Sequence, residues 1–355
     1  MIDHFILRAP VFHNTRTVPE RPPPWLYFCS AELNHPHLIK LIDVFETDSD
    51  LYLVTELMRG GDLFQQLTRA STFSEAHAAR LAKQIIGAVS HLHIHGIVHC
   101  DLKPSNILVL EKHSGTPRSS KEQPGESAEK HVGTPRTSKE QPGESADENG
   151  VDMIVKVADF GLSQSLRRRE GSQEKLLTDI CGTPDYFAPE LADMALTRKA
   201  TEASEEASEW ADVGKGYGPP IDCWAVGCVV YELLVGHPPY QAHDDRVLFY
   251  KIIENQMEFP KDVFDNISPD AIKLIKELTA TDPDERLSCE QALAHAWLAE
   301  DNATLAATPL PEETKRRRRK LSIQREDAKD AMLAAALAAA GIQEVQEVIT
   351  SPAGE

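Results

Sequence analysis

The chain is short of several things, and each shortage removes a class of protein. No glycine precedes Gly60, so no Gly-rich, phosphate-cradling loop lies upstream of it. There are six cysteines (Cys29, Cys100, Cys181, Cys223, Cys228, Cys289), with no CxxC pair and no metal-ligand spacing among them or the 14 histidines. Reduced thiols in a cytosolic-type compartment are the simpler expectation. No run approaches the ~18 apolar residues that a membrane-spanning helix needs. The first residues also lack the charged-then-apolar layout of a signal peptide. Positive charge is scarce too: 37 Lys and Arg stand against 56 Asp and Glu, a net charge of −19. That balance excludes a general nucleic-acid binder and suits cationic partners. The expectation is a cytoplasmic protein without nucleic-acid or membrane partners.

What is present is enough for a sizeable core. The 355 residues, 41% apolar and 26% charged, fit one large globular domain or two ordinary ones. Residues 1–34 are Pro-rich and read as irregular, since Pro22, Pro23 and Pro24 block a helix. From His35, "HPHLIKLIDVFETDSDLYLVTELM" reads as two apolar strands around a polar turn. "AHAARLAKQIIGAVSHLHIH" then sets Ala79, Leu81, Ile85, Ile86, Val89 and Leu92 at helical spacing. Residues 111–150 hold a tandem repeat, "GTPRSSKEQPGESA" and "GTPRTSKEQPGESA", too polar to order itself. A second, acidic insertion is expected over residues 192–216. From Asp222 to Trp297 the pattern is helical and apolar. A tail from 299 to 355 carries the basic block "KRRRRK" and an Ala-rich helix former.

The chemistry lies in "HCDLKPSN", "DFG" and "GTPDYFAPE", in that order. Phosphoryl transfer needs Mg²⁺ to neutralise charge, in-line positioning, and a carboxylate to orient the attacking hydroxyl. Asp101 can accept the hydroxyl proton, and Lys103 can offset charge on the moving phosphoryl. Asn106 offers Mg²⁺ a neutral oxygen and Asp159 offers it a carboxylate. One such motif is weak, whereas the ordered set is strong.

These motifs resemble the large lobe of a eukaryotic protein kinase, most like the Ser/Thr kinases of the calcium/calmodulin-dependent group. The resemblance runs from about His35 to residue 298. It implies an α+β protein-kinase-like fold, mainly helical, with a curtailed β small lobe. It implies ATP and Mg²⁺ as cofactors and protein substrates as partners. Asp101 would be the catalytic base, with Lys103 as its partner and Thr183 positioning it. Asn106 and Asp159 would hold Mg²⁺. Glu56 to Met58 would form the hinge that meets adenine, Thr55 would limit the pocket's depth, and Leu108 would be its floor. Glu190 would pair with Arg286, and Asp222 and Trp224 would brace the catalytic loop. Asp62 and Glu232 resemble carboxylates that greet an Arg upstream of the target, which implies a basophilic preference.

The departures from that pattern carry expectations of their own. The only lysine before the hinge is Lys40, past the place of the strand Lys that grips the phosphates. The paired helix Glu would fall near Leu26, beside the Pro triplet. One expectation is an ordinary kinase read from a truncated gene model; the other is a non-catalytic pseudokinase or scaffold. Retention of Asp101, Asn106 and Asp159 favours the first. Cys100 replaces the usual Arg and cannot bind an activation-segment phosphate, and Asp179 stands where a phosphorylated Thr is common. That implies a segment held by other contacts, with Arg167, Arg168 and Arg169 as candidates. The tail over 315–340 resembles an autoinhibitory, calmodulin-binding segment. A nuclear-import signal or a plain solvated charge run fits the basic block as well.

Overall fold

The computed structural model describes residues 4–10, 33–46, 50–70, 72–110, 153–166, 176–202 and 216–299. Three antiparallel strands form the smaller layer: β1 (His4–Pro10), β2 (Leu41–Glu46) and β3 (Asp50–Glu56), in the order β1-β3-β2. β2 and β3 are the two strands read from sequence. β1 corrects the reading of residues 1–34 as wholly irregular, since "HFILRAP" pairs with β3 from His4 opposite Glu56 to Pro10 opposite Asp50. The run is apolar enough to join a sheet, and its only proline stands at the end of the ladder, where a missing N–H matters least. The Pro triplet and Leu26 lie outside the described residues.

Helices build the larger layer. α1 (Leu63–Ala70) follows the hinge, and α2 (Glu75–Ile94) begins at Ser74, whose hydroxyl accepts from the His77 amide. The predicted stripe of α2 is buried throughout, with Leu81, Ile85, Ile86, Val89 and Leu92 at most 1% exposed. β4 (Ile97–Val98), β5 (Ile107–Leu110), β6 (Ile154–Val157) and β7 (Gln164–Ser165) form two small antiparallel pairs, β4 with β7 and β5 with β6. The β5–β6 pair brackets the repeat-bearing insertion, which lies outside the described residues.

α3 (Pro189–Glu202) corrects the second insertion's boundary. Residues 192–202 are helix, and Ala192, Met194 and Ala195 are core. An Ala-rich run is neutral between surface and interior, so sequence alone misplaced its start. α4 (Pro220–Val235) is apolar on every side and buried along nearly its whole length, the pattern of a helix at the centre of a core. Pro220 opens it at a position that needs no N–H, and Gly236, at φ +87°, closes it. α5 (Asp245–Ile253) and the single-turn α6 (Lys261–Phe264) lead to α7 (Pro269–Leu278). α7 buries Ala271, Leu274, Ile275 and Leu278, an i, i+3, i+4, i+7 face. The short α8 (Cys289–Ala292) starts in a capping box between Ser288 and Gln291. Glu75 joins the ends of this layer, accepting from the Trp297 indole at 2.9 Å and the Ser268 amide at 3.0 Å. Among the described residues no helix is long and apolar enough to cross a membrane.

Candidate active site

The loop between β4 and β5 carries Asp101, Lys103 and Asn106, and Asp222 at the start of α4 sets its shape. The Asp222 carboxylate accepts from the backbone amides of His99 at 2.7 Å and Cys100 at 3.0 Å. It also meets His93 Nε2 at 2.9 Å. Cys100 sits at φ +69°, a conformation costly for a residue with a Cβ. Those two amide bonds hold it there, which is the bracing role implied for Asp222. Trp224 is fully buried and stacks on Tyr240, so its support is packing.

Asp101 is 8% exposed and its carboxylate is engaged from three sides. Thr183 donates to Oδ1 at 2.7 Å, Lys103 donates to Oδ2 at 2.8 Å, and Asn106 Nδ2 donates to Oδ2 at 3.0 Å. Lys103 also donates to the Thr183 hydroxyl at 2.6 Å, which closes a triangle of side chains. Burial alone would raise the Asp101 pKa. The Lys103 hydrogen bond, then those of Thr183 and Asn106, outweigh it and hold the carboxyl below its ordinary value. A carboxylate offers roughly four acceptor positions, so one stays open for an incoming hydroxyl. The predicted Asp101, Lys103, Asn106 and Thr183 therefore converge on one point.

The loops that carry the predicted Mg²⁺ ligands meet through their backbones. The Asn106 backbone carbonyl accepts from the Ala158 amide at 2.9 Å, which sets Asp159 one residue from that contact. Since Asn106 spends its amide nitrogen on Asp101, its side-chain oxygen is the end left for a cation. Asp159 is exposed at φ +60°, with Oδ1 accepting from the Gly161 amide at 3.3 Å. A neutral oxygen and a carboxylate oxygen are the hard donors that Mg²⁺ takes. These residues fit the ion.

Beyond the segment expected to be the hinge, the chain runs beside β5, where Asp62 bridges to Leu108. Gly60 pairs with Val109, and a Cβ on Gly60 would stand 2.8 Å from the Val109 carbonyl, so only glycine permits this approach. Lys156, opposite Leu108 in the β5–β6 ladder, donates to the Glu56 carboxylate at 2.6 Å. Met58 is buried, Thr55 is 6% exposed, and half-buried Leu108 faces away from buried Ile107 and Val109.

Arg286 and Glu190 form the expected pair, with two parallel bonds of 2.7 and 2.9 Å. Of the two carboxylates read as basophilic, Asp62 caps α1 through the Gln65 amide at 2.7 Å and is half-buried. Glu232 is 1% exposed and accepts from the Tyr186 hydroxyl at 2.6 Å. Its carboxylate is spent inside the fold.

Sequence reasoning missed His99 and His93. His99 Nε2 donates to the Ala158 carbonyl at 2.9 Å while Nδ1 accepts from the Asp101 amide at 3.3 Å, so one tautomer links the two motif loops. Only its place beside Cys100 could have signalled this. Spacing also hid a cluster in which His93, Cys223 and Cys289, from three helices, bring ligand-type atoms within 4.8 Å of one another. The activation segment is held by Tyr217, which pairs with Leu177 and donates to the Asp179 carbonyl. The arginines proposed for that work, Arg167 to Arg169, lie outside the described residues.

A model of the protein kinase domain matches residues 29–298. The chain belongs to the protein kinase family. It is 34% identical to human calcium/calmodulin-dependent protein kinase type 1B over 271 residues, covering 76% of this chain and 61% of that one. Rat calcium/calmodulin-dependent protein kinase type IV is 33% identical over 75% of this chain and 43% of its own length. Myosin light chain kinase A of Dictyostelium discoideum is 32% identical over 77% and 71%. The likeness to Ser/Thr kinases of the calcium/calmodulin-dependent group is thus shown across the domain. The chain spans about three fifths of the human relative's length.

Proposed function

We propose that the chain transfers the γ-phosphoryl group of ATP to Ser and Thr hydroxyls of proteins, with Mg²⁺, favouring sites with an upstream basic residue. The carrying observation is the closed triangle of Asp101, Lys103 and Thr183. Bound Mg²⁺ would neutralise charge on the phosphates. Asp101, kept ionised, accepts a hydrogen bond from the substrate hydroxyl and takes its proton. Lys103 presents an ammonium beside that point, and Thr183 prevents the carboxylate from turning away. Asn106 and Asp159 supply oxygen donors for the cation. The basophilic preference rests on Asp62 and on the net charge of −19, since Glu232 is buried. Calmodulin is proposed as a partner of residues 315–340, which lie outside the described residues. The basic sequence and the relatives' calcium/calmodulin-dependent names support it.

The test compares the chain with Asp101→Asn on a basic Ser peptide with Mg·ATP. Phosphate incorporation that disappears in the variant supports the reading, and equal incorporation overturns it. A second reading, a non-catalytic interaction module, is favoured by one observation. The strand beside β3, "HFILRAP", carries no lysine to grip phosphate. Failure to bind Mg·ATP, with partner binding unaffected by Asp101→Asn, would make that reading the answer.

A further inference from the structure

Two thiols meet where the catalytic loop touches the activation segment. Cys100 replaces the arginine usual in this motif, is 7% exposed, and its Sγ lies 3.6 Å from the Val98 carbonyl. Cys181 is half-buried and more accessible. Cys181 Sγ lies 3.4 Å from the Tyr217 hydroxyl and 3.6 Å from the Gln164 side-chain amide, and the Cys100 and Cys181 thiols are each other's strongest electrostatic partner. Gly182, the residue after Cys181, packs on the Cys100 backbone: a Cβ there would stand 2.4 Å from the Cys100 carbonyl. We propose that Cys100 and Cys181 are a peroxide-responsive pair that closes to a disulfide, tying the catalytic loop to the activation segment. The inference stands on this geometry whether or not the chain transfers phosphate.

The two cysteines have unequal roles. The Cys100 thiol draws the Cys181 thiol down to about 6 against the opposing effect of burial, with Tyr217 and the Gln164 amide helping. The same interaction, then burial, pushes the Cys100 thiol up. Cys181 is therefore the nucleophile and Cys100 the resolving thiol. The Cys181 thiolate attacks one oxygen of hydrogen peroxide; an S–O bond forms, the O–O bond breaks, and hydroxide leaves with the electron pair and is protonated to water. The Cys100 sulfur then attacks the sulfenic sulfur. The S–S bond forms, the S–O bond breaks, and the departing hydroxide takes the Cys100 proton as water. Two thiols and one peroxide become one disulfide and two waters, and a dithiol reductant reverses the change. Where kinases resembling this one would tie the two segments by arginine and phosphate, the cysteines supply a covalent tie under oxidative control.

The test is peptide mapping of the full chain after graded hydrogen peroxide, alkylation and non-reducing digestion. The expected result is loss of both alkylated peptides together, appearance of one peptide joining Cys100 to Cys181, and its disappearance with dithiothreitol. In Cys100→Ser, Cys181 should instead stall as a sulfenic acid captured by a dione probe. Oxidised Cys181 with Cys100 still alkylated in the unmutated chain would overturn the proposal. So would a link between Cys223 and Cys289, 3.5 Å apart, with the other pair still free. No outcome depends on kinase activity, so failure here and failure of the phosphotransfer reading are separate results.

Discussion

Thr183 and Asp101 lie 82 positions apart in the chain, and the Thr183 hydroxyl donates to the Asp101 carboxylate at 2.7 Å. The same hydroxyl accepts from Lys103 at 2.6 Å, so one oxygen fixes both a base and a cation. Thr183→Val keeps the side-chain shape and removes that oxygen. The carboxylate is then free to rotate, and misplacement of about 1 Å can cost on the order of 10²-fold in turnover. We expect kcat to fall by about that much with the KM for ATP little changed, while Thr183→Ser restores most of the rate. A loss in KM alone would show that Thr183 serves substrate binding instead.

Gly182 offers a test of the same junction from the backbone. It sits at φ +109°, and a Cβ there would stand 2.4 Å from the Cys100 carbonyl. Gly182→Ala meets both a forbidden conformation and a clash with a backbone that Asp222 already pins. Strain of this kind costs about 1–3 kcal/mol. Urea unfolding should show a loss in that range. An unchanged midpoint would mean that the junction relaxes freely.

The large lobe was legible because its signals are local. "HCDLKPSN" places Asp101, Lys103 and Asn106 within six positions, and the structure leaves them together. The stripe of α2 was legible because 3.6-residue periodicity needs no partner to be seen. β1 was not, since its pairing with β3 joins residues 40 to 52 positions apart and nothing in "HFILRAP" names its partner. Residues 192–202 were lost to an insertion because Ala and Met there sit as well on a surface as in a core. His93 and His99 were invisible for a different reason: their partners, Asp222 and Ala158, come from elements remote in sequence. Nor could sequence show that Glu232 lies buried on the Tyr186 hydroxyl, because an acidic residue reads the same whether exposed or buried.

Arg286 has no exposed side-chain surface, and it donates to Glu190 through two nitrogens and to the carbonyls of Pro220, Ala280 and Thr281. Its guanidinium lies over the Trp224 ring, 5.2 Å from the centroid. Removing one partner of a buried ion pair leaves the other charge uncompensated, at a cost of about 3–5 kcal/mol. Glu190→Gln should destabilise the chain by roughly that amount in urea unfolding, or somewhat less because the carbonyls remain. Arg286→Ala should cost at least as much, because packing on Trp224 is lost too. A loss below about 1 kcal/mol in Glu190→Gln would show that the carbonyl cage alone satisfies Arg286.

His93 gives the fold a pH dependence with a definite sign. Burial would lower its pKa, but the hydrogen bond and charge of Asp222, aided by Cys223, raise it from 6.5 to about 9. The folded state therefore holds a proton that the unfolded state releases between those two values. The stabilisation is complete below about 6.5 and is lost as pH rises through about 9. The contribution of this group to the unfolding free energy should fall across that window with a slope approaching about 1.4 kcal/mol per pH unit, opposed by Cys223, whose thiol is drawn down to about 5. His93→Gln keeps a donor to Asp222 without a titrating proton, so its stability profile should lack that component of the slope. Parallel profiles for the variant and the parent would mean that Asp222 holds His99 and Cys100 without help from a charged His93. The catalytic loop would then be insensitive to alkali at this point.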